Sequence, residues 1–462
     1  MRALQAQRLI DLLALRLAPA IAAGLIAYSH LGAVGHGLIV FASVFFIAQA
    51  IDRADLPLHL MRASRVLLGL AAPAVGAGFV WLISLASGTD YPLAEFEAVV
   101  LGASLVLALG AWIKARIEPS LRARVAVIGS RDLAADLAAE LDAAGVQSYD
   151  LIGWLGSDGP PGDERMRRLG GLEEVREVVL ARRIDLLICA PAPQLGSATV
   201  GSLSASVAEQ CLDLPVRLIA ANELYEETFG HVPVGMIDAA WYRYIMHPRF
   251  RAAAPFSKRL FDLVLATLIG LACLPLVVAA AIAIKLGDRG PVLYRQRRLG
   301  EYGREFEILK LRTMRTDAER DGPRWSVAGD ERVTRVGRAL RRTHLDEVPQ
   351  LWNVLQGEMT LVGPRPERPE LVTALERRLP HYTRRHLVKP GVTGWAALRC
   401  GYAGSEIGTA WKLCHDLFYI KRRSVLVDAM IIVETAVELF RNAHRALRAP
   451  DARFLIREEP HG

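Results

Sequence analysis

Twenty-two consecutive residues, Leu263 to Ile284, carry no charged side chain and have Pro275 near their middle. Lys258 and Arg259 precede them, and Arg289, Arg295, Arg297 and Arg298 follow. A straight helix of that length rises ~33 Å at ~1.5 Å per residue, enough to cross a hydrocarbon core ~30 Å thick. Basic residues favour the cytoplasmic side, and with both flanks basic a crossing would leave one Arg-rich flank outside. Proline removes a backbone hydrogen bond and bends a helix, so two short arms of ~18 and ~14 Å can enter and leave one leaflet. The segment is read as a re-entrant hairpin broken at Pro275 and carrying a cytoplasmic domain. The alternative is an ordinary spanning helix that tolerates its proline.

With 462 residues, 52% of them hydrophobic, the chain is long enough for two or three domains and too apolar to be wholly soluble. Four apolar stretches near the start supply a membrane component: about Leu12 to Ser29, Gly37 to Ile51, Val66 to Ala86 and Ala94 to Ile113, the first interrupted by Arg16. Arg2 and Arg8, then Arg53, Arg62 and Arg65, then Lys114, Arg116, Arg122 and Arg124 occupy alternate connections, and the other two loops have no Lys or Arg. The alternation predicts a four-helix transmembrane bundle with both ends in the cytoplasm. A signal peptide is the competing reading of the first stretch, but no convincing small-residue cleavage site precedes the next apolar segments.

A net charge of +7 raises the question of nucleic acid. Basic flanks of membrane segments account for such a balance, so lipid phosphates and anionic substrates are the expected partners and nucleic acid is not. The five cysteines, Cys189, Cys211, Cys273, Cys400 and Cys414, show no CxxC spacing. Reduced thiols are expected, and a zinc site is not.

From Arg124 the pattern changes. Val125 to Gly129 reads as a short buried strand, followed by a helical run from Leu133 to Ala144 that ends at Gly145. Further strands are expected at Leu151 to Trp154, Asp185 to Ala190 and Val216 to Ile219, with a helix from Leu172 to Arg182. This predicts a Rossmann-like doubly wound middle domain. A dinucleotide site requires G-x-G-x-x-G after the first strand. Here those positions read Gly129, Arg131 and Ala134, so two of the three glycines are absent and a structural or regulatory domain is expected. Arg131 could still meet a phosphate at the helix N-terminus.

Between Arg289 and Arg342 fifteen Lys and Arg face eight Asp and Glu, an excess suited to a polyanion or to a solvated basic face beside a membrane. The arrangement is more telling than the count. Tyr294-Arg295-Gln296, Phe306 to Met314 (FEILKLRTM) and Arg332 to Arg338 lead to His344-Leu-Asp346-Glu347-Val-Pro349-Gln350-Leu-Trp352-Asn353. Gly363-Pro364-Arg365-Pro366-Glu367 and His386-Leu-Val-Lys389-Pro390-Gly391-Val-Thr393-Gly394-Trp395 follow.

These strings, in this order from about Pro255 to Phe440, resemble the bacterial sugar transferase family, the monotopic phosphoglycosyl transferases that act on a polyprenyl phosphate. With the apolar stretches and middle domain ahead of them, the chain is similar to the long, exopolysaccharide-initiating form. The resemblance implies transfer of a sugar 1-phosphate from a UDP-sugar to polyprenyl phosphate with release of UMP, and a requirement for Mg²⁺. A carboxylate attacking phosphorus gives an acyl phosphate and divides one hard transfer into two easier ones. The resemblance places that nucleophile at Asp346 and puts Glu347 beside it, the pair holding Mg²⁺, an ion suited to one or two carboxylates plus substrate phosphates.

Arg365, held on a stiff backbone between Pro364 and Pro366, matches the family's Pro-Arg-Pro motif for nucleotide recognition. Lys310, Arg312 and Arg341 are further phosphate candidates, with ion pairing or lipid headgroups as their alternatives. The Lys389-to-Trp395 turn is expected to be structural and to place the indole at the membrane interface. Val425 to Phe440 reads as a helix on the membrane or the domain core. Two departures stand out: Leu274-Pro275 where the family often has Ser-Pro, and Ala396-Ala397-Leu398 where many members read Ala-Gln-Val.

The expected organisation is a bundle at 1–120, a middle domain at 121–245, the re-entrant helix with an α-rich α/β catalytic domain at 255–446, and a tail at 447–462. The expected location is the bacterial inner membrane, multi-pass, with the catalytic domain in the cytoplasm. A homodimer, downstream glycosyltransferases and export machinery are the protein partners the resemblance allows. Two rival functions are a membrane-tethered nucleotide-sugar dehydratase or epimerase, which needs the missing glycine fingerprint, and an inactive scaffold or sensor of an export complex. Retention of Asp346, Glu347 and Arg365 argues against the scaffold.

Overall fold

The computed structural model describes residues 5–6, 9–10, 12–53, 62–88, 92–117, 121–156, 167–189, 206–237, 241–242, 255–318, 330–400 and 406–441. The expected tail at 447–462 lies outside them. The chain divides into two units, Met1–Phe229 and Gly230–Gly462.

The first unit opens with a π-helical turn, Leu13–Leu17, that runs into α1 (Ala18–Leu31), followed by α2 (Val34–Arg53), α3 (Arg62–Ser87) and α4 (Leu93–Ile117). Their shared core is small: Ala20, Ala23, Ala27, Val40, Val44, Ala72, Ala77, Val99 and Ala103 are buried. Gly24 and Gly37 bring α1 and α2 together, since a Cβ on Gly37 would stand 2.7 Å from the Gly24 carbonyl. Large side chains face outward instead, among them Leu38, Phe46, Phe79, Leu101, Leu105 and Trp112. Small residues inside and large apolar ones outside is the packing expected where the surroundings are hydrocarbon. Within this unit Leu93–Ile113 is long and apolar enough to cross a membrane, whereas the apolar runs Ala18–Leu31, Val34–Gln49 and Ala71–Ser87 are shorter. Arg16, which interrupts the first stretch, donates to Gln49 Oε1 at 3.3 Å.

The α/β part holds β1 (Ala123–Ile128), α5 (Arg131–Ala143), β2 (Tyr149–Leu155), β3 (Arg168–Gly170), α6 (Val175–Arg182), β4 (Leu186–Cys189) and β5 (Arg217–Ala220). The strands pair in parallel in the order β3-β2-β1-β4-β5, a doubly wound sheet whose order reverses beside β1. Helix α6 starts later than its hydrophobic pattern suggests because Glu174 accepts from the Gly171 amide at 2.7 Å and holds that stretch as a turn. At the degenerate fingerprint, Gly129 has φ 147°, and the Ser130 hydroxyl caps α5 by accepting from the Leu133 amide. Ala134 is fully buried in the packing.

The second unit begins at Gly230, earlier than the boundary read from sequence. The Trp395 indole donates to Gly230 O at 2.6 Å, Val232 N donates to Cys414 O at 3.1 Å, and His231 packs on Trp411. Residues 230–237 therefore pack with the second unit, whereas the middle domain was expected to extend to 245. Helix α7 (Pro255–Asp288) is a continuous 34-residue helix with Pro275 inside it. It is followed by the antiparallel hairpin β6 (Leu293–Leu299) and β7 (Glu305–Leu311), then α8 (Arg335–Thr343), a 3₁₀ turn Leu345–Glu347 and α9 (Gln350–Gln356). Next come β8 (Thr360–Val362), α10 (Pro369–Arg378), a 3₁₀ segment Tyr382–Leu387, β9 (Gly391–Thr393), α11 (Trp395–Cys400), α12 (Glu406–Arg422) and α13 (Val425–Arg441). The expected helix at 425–440 lies in the domain core, with Val427, Met430 and Ile431 buried. All five cysteines are free thiols.

Helix α7 has two faces. Phe256, Leu260, Val264, Leu268, Leu271, Leu274, Val278, Ile282 and Leu286 form an exposed apolar ridge at helical spacing. The opposite face is held by the domain near both ends of the helix. Near its start, Lys258 pairs with Asp262 at 3.0 Å and Asp428 at 2.6 Å, and Asp262 accepts from Thr360 Oγ1 at 2.6 Å and Leu361 N at 3.2 Å. Near its end, Ala280 and Ile284 pack with Leu311, Leu340 and Leu345.

Candidate active site

The acidic pair is presented by a sharp local turn. Helix α8 is capped at its start by the Thr334 hydroxyl, which accepts from the Gly337 amide at 2.9 Å. Gly337 admits no side chain, because a Cβ there would come within 2.0 Å of the Thr313 carbonyl. The helix stops at His344, whose φ of 54° turns the chain into the 3₁₀ turn Leu345–Glu347. Leu345 plugs into the Ala280–Ile284 cluster of α7, so the carboxylate turn is seated against the apolar helix.

Lys310 Nζ from β7 and Arg365 Nη2 both donate to Glu347 Oε1, at 2.8 and 2.7 Å. Burial opposes ionisation of Glu347, yet the charges of Arg365 and Lys310 outweigh it and hold the carboxyl well below the usual range. Asp346, 8% exposed, goes the other way: burial and the neighbouring Glu347 charge raise it, while Lys310, Arg341 and His344 partly offset them. Burial and the Arg365 charge lower Lys310 against the pull of Glu347. Two adjacent carboxylates thus differ in kind. Glu347 is ionised and tied, and Asp346 is desolvated and less encumbered, which suits a nucleophile.

The site residues expected from sequence are only partly brought together. Asp346, Glu347, Lys310 and Arg365 form one cluster, and Arg341 lies near enough to act on Asp346 while its Nε donates to Thr313 Oγ1 at 3.0 Å. Arg312 is elsewhere. It is buried, with its guanidinium under Gly290, where a Cβ would come within 1.8 Å of Nη1.

Pro364, Arg365 and Pro366 form a loop pinned through three successive carbonyls. Pro364 O accepts from Gly391 N at 2.9 Å, Arg365 O from Arg385 Nη2 at 3.1 Å, and Pro366 O from Arg298 Nη1 at 3.0 Å. Strands β8 and β9 meet so closely that a Cβ on Gly391 would lie 2.1 Å from Gly363 N, and one on Gly394 would lie 2.2 Å from Gly363 O. The glycines flanking the two motifs are therefore packing requirements. Arg385 is the brace that sequence reading missed. It is 4% exposed, pairs with Asp416 at 2.7 Å and Glu367 at 3.4 Å, and donates to the Tyr382 hydroxyl at 2.9 Å. Arg385 lies one residue before the His386 string, and Asp416 lies 31 residues further along the chain.

The Trp395 indole is not at a membrane interface. It is 1% exposed, bonded to Gly230 O, tilted against Phe418 and covered by the Arg399 guanidinium 4.5 Å above the ring. A buried indole needs a partner for its N–H, and here a backbone carbonyl supplies it.

No group of three or more His, Cys, Asp and Glu suited to a metal occurs among the described residues. The donor set that remains is the Asp346–Glu347 pair. Both described bonds to Glu347 fall on Oε1, so Oε2 and the Asp346 carboxylate are the oxygens available to a hard cation. Two carboxylates fit Mg²⁺, which commonly completes its shell with water and substrate phosphates.

Residues 253–442 match the bacterial sugar transferase family. The UDP-N-acetylgalactosamine-undecaprenyl-phosphate N-acetylgalactosaminephosphotransferase of Aeromonas hydrophila is 42% identical over 180 residues, 39% of this chain and 43% of that protein. The undecaprenyl-phosphate glucose phosphotransferase of Komagataeibacter xylinus is 35% identical over 327 residues, 68% of this chain and 58% of that protein. The chain thus spans about half the length of these two relatives. It covers 73% of the UDP-glucose:undecaprenyl-phosphate glucose-1-phosphate transferase of Caulobacter vibrioides, at 43% identity over 196 residues. The matched region contains the whole Asp346, Glu347, Lys310 and Arg365 cluster, and the chain belongs to the bacterial sugar transferase family.

Proposed function

We propose that this chain transfers a sugar 1-phosphate from a UDP-sugar to undecaprenyl phosphate, giving the polyprenyl diphosphate sugar and UMP, as the first step of an exopolysaccharide or related surface glycan. The observation that carries the reading is the buried Asp346 beside a Glu347 already neutralised by Lys310 and Arg365. An Asp346 oxygen attacks the sugar-bearing phosphorus, the bond from that phosphorus to the bridging oxygen breaks, and its electron pair leaves on UMP. A phosphate oxygen of the acceptor then attacks the same phosphorus, the bond from phosphorus to the Asp346 oxygen breaks, and its electron pair restores the carboxylate.

Arg365 and Lys310 are placed to bind the donor's phosphates, and Arg341 stabilises charge near Asp346. Asp346 and Glu347 are the residues that would hold Mg²⁺, which when bound neutralises charge on the phosphoryl oxygens. Their tie to the Pro364–Pro366 loop, through Arg365, joins the carboxylate turn to the nucleotide-binding backbone.

The contacts of α7 support a membrane-embedded helix that enters and leaves the same face. Lys258 and Ile284 both contact the same domain. Those residues would lie ~39 Å apart on a straight helix, more than the ~30 Å hydrocarbon core, so a crossing would set them on opposite sides of the bilayer. A bend at Pro275 reconciles the two contacts with one cytoplasmic domain, and the alternating basic loops give the four bundle helices cytoplasmic ends.

The test is nucleotide release from purified membranes given Mg²⁺, undecaprenyl phosphate and a panel of UDP-sugars. Lipid-dependent UMP release with one sugar is the expected result. UDP release, or no release from folded protein with any sugar, would sink the proposal. A pH profile adds a check on Asp346. Its carboxylate must be ionised to attack, so kcat/KM falls on the acid side as Asp346 becomes protonated. Lys310 lowers Asp346, and Lys310→Met removes that effect and moves the acid limb to higher pH. A limb that stays in place, or moves to lower pH, contradicts the assignment.

A further inference from the structure

Two cationic side chains converge over a bare glycine where α9 ends. Arg259 Nη1 donates to Val354 O at 2.5 Å and Nη2 donates to Leu355 O at 2.7 Å, so the last turn of α9 fixes the guanidinium. Gly357 closes that helix in the left-handed region with φ 87°. A Cβ at Gly357 would lie 3.4 Å from Arg259 Nη2 and 3.7 Å from Lys389 Nζ. The space in front of the glycine is therefore walled by two positive charges and left open by the missing side chain.

Neither cation is neutralised. Lys389 makes no hydrogen bond or ion pair with any described residue, and Arg259 meets carbonyls rather than a carboxylate. Nη2 uses one of its two hydrogens on Leu355 and keeps the other. Lys258, next in the chain, contrasts with this, since it is paired to both Asp262 and Asp428. Exposed Phe256 and Leu260 flank Arg259 where the apolar ridge of α7 begins, so the pair of charges stands at the border between apolar and polar surface. A lipid phosphate occupies that depth, and its oxygens can reach two cationic donors at about 2.8 Å each.

We propose that Arg259, Lys389 and the bare face of Gly357 form a binding site for the phosphate of a lipid, separate from the Lys310–Glu347–Arg365 cluster. Whether that phosphate is the reaction's acceptor or belongs to an anionic phospholipid is the part that rests on the transferase reading. The site itself stands on its geometry.

The test is native mass spectrometry of the full chain in detergent micelles, with dioleoyl-phosphatidylglycerol, farnesyl phosphate or inorganic phosphate added separately. Lys389→Gln removes one charge. Gly357→Asp fills the space with a carboxylate, a residue that tolerates left-handed backbone. Each is expected to lower lipid retention about tenfold, the effect of losing one charge-assisted hydrogen bond, while Lys389→Arg retains it. Preference for farnesyl phosphate assigns the site to the acceptor, and preference for phosphatidylglycerol assigns it to a structural lipid; both support a lipid-phosphate site. Retention unchanged in both Lys389→Gln and Gly357→Asp overturns it, as does inorganic phosphate held as well as either lipid. Retention is read without turnover, so a chain that proves inactive still decides this question.

Discussion

Asp346→Asn is expected to abolish the proposed phosphosugar transfer, by at least about a thousandfold, without unfolding the domain. The asparagine has nearly the shape of the aspartate and adds no charge to a position that is 8% exposed and whose burial already disfavours the ionised form. It removes only the carboxylate, the proposed nucleophile. In the wild type without acceptor, one equivalent of UMP should appear in a burst, and label from the donor's sugar phosphate should become bound to protein. In the variant both signals vanish, and thermal unfolding stays near the wild-type temperature. Residual turnover above about a hundredth of wild type, in protein carrying no bound label, would remove Asp346 from the covalent role.

Asp416→Ala is expected to cost about 3–5 kcal/mol, the penalty for leaving a buried charge without its partner, and a folded domain has only about 5–15 kcal/mol to lose. Arg385 is 4% exposed and would keep the Tyr382 hydroxyl and Glu367 at 3.4 Å as partners, while its contact of 2.7 Å would be gone. Burial lifts Asp416 above the usual carboxylate range despite Arg385, a sign that desolvation consumes much of what the pair gains. The paired replacement Arg385→Met with Asp416→Leu should therefore recover most of the lost stability but not the activity. Arg385 also holds the carbonyl of Arg365, and with it the Pro364–Pro366 loop. Tryptophan-monitored unfolding in detergent is sensitive here because Trp395 and Trp411 are buried in this unit. A single variant that unfolds within about 1 kcal/mol of wild type would show that the brace carries little.

Much of this arrangement is legible in the sequence. Parallel strands at β1, β2, β4 and β5 announced themselves as short apolar runs, because strands buried on both faces must be apolar throughout. Asp346, Glu347, Lys310 and Arg365 lie in one cluster, and each sits in an ordered string with little room for shift. The failures have physical causes. Lys310 lies near the end of β7 and Arg312 just beyond it, where strand alternation no longer applies, so the pattern could not say that one reaches the acid and the other packs under Gly290. Trp395 looked interfacial because its partners, Gly230 and Phe418, are distant in the chain. The start of the second unit at Gly230 was hidden for the same reason.

The contacts that Lys258 and Ile284 make with one and the same domain also bear on how such a protein moves. A catalytic unit joined to its lipid-facing helix at a single point would swing as a tethered body and spend part of its time facing away from the bilayer. On the re-entrant placement proposed above, a unit riveted at both ends of that helix has no such freedom, and its carboxylate turn would keep a set height and bearing over the lipid surface. Encounters are then left to the mobile partner, which diffuses in two dimensions toward a fixed target, while the protein itself has nothing to search.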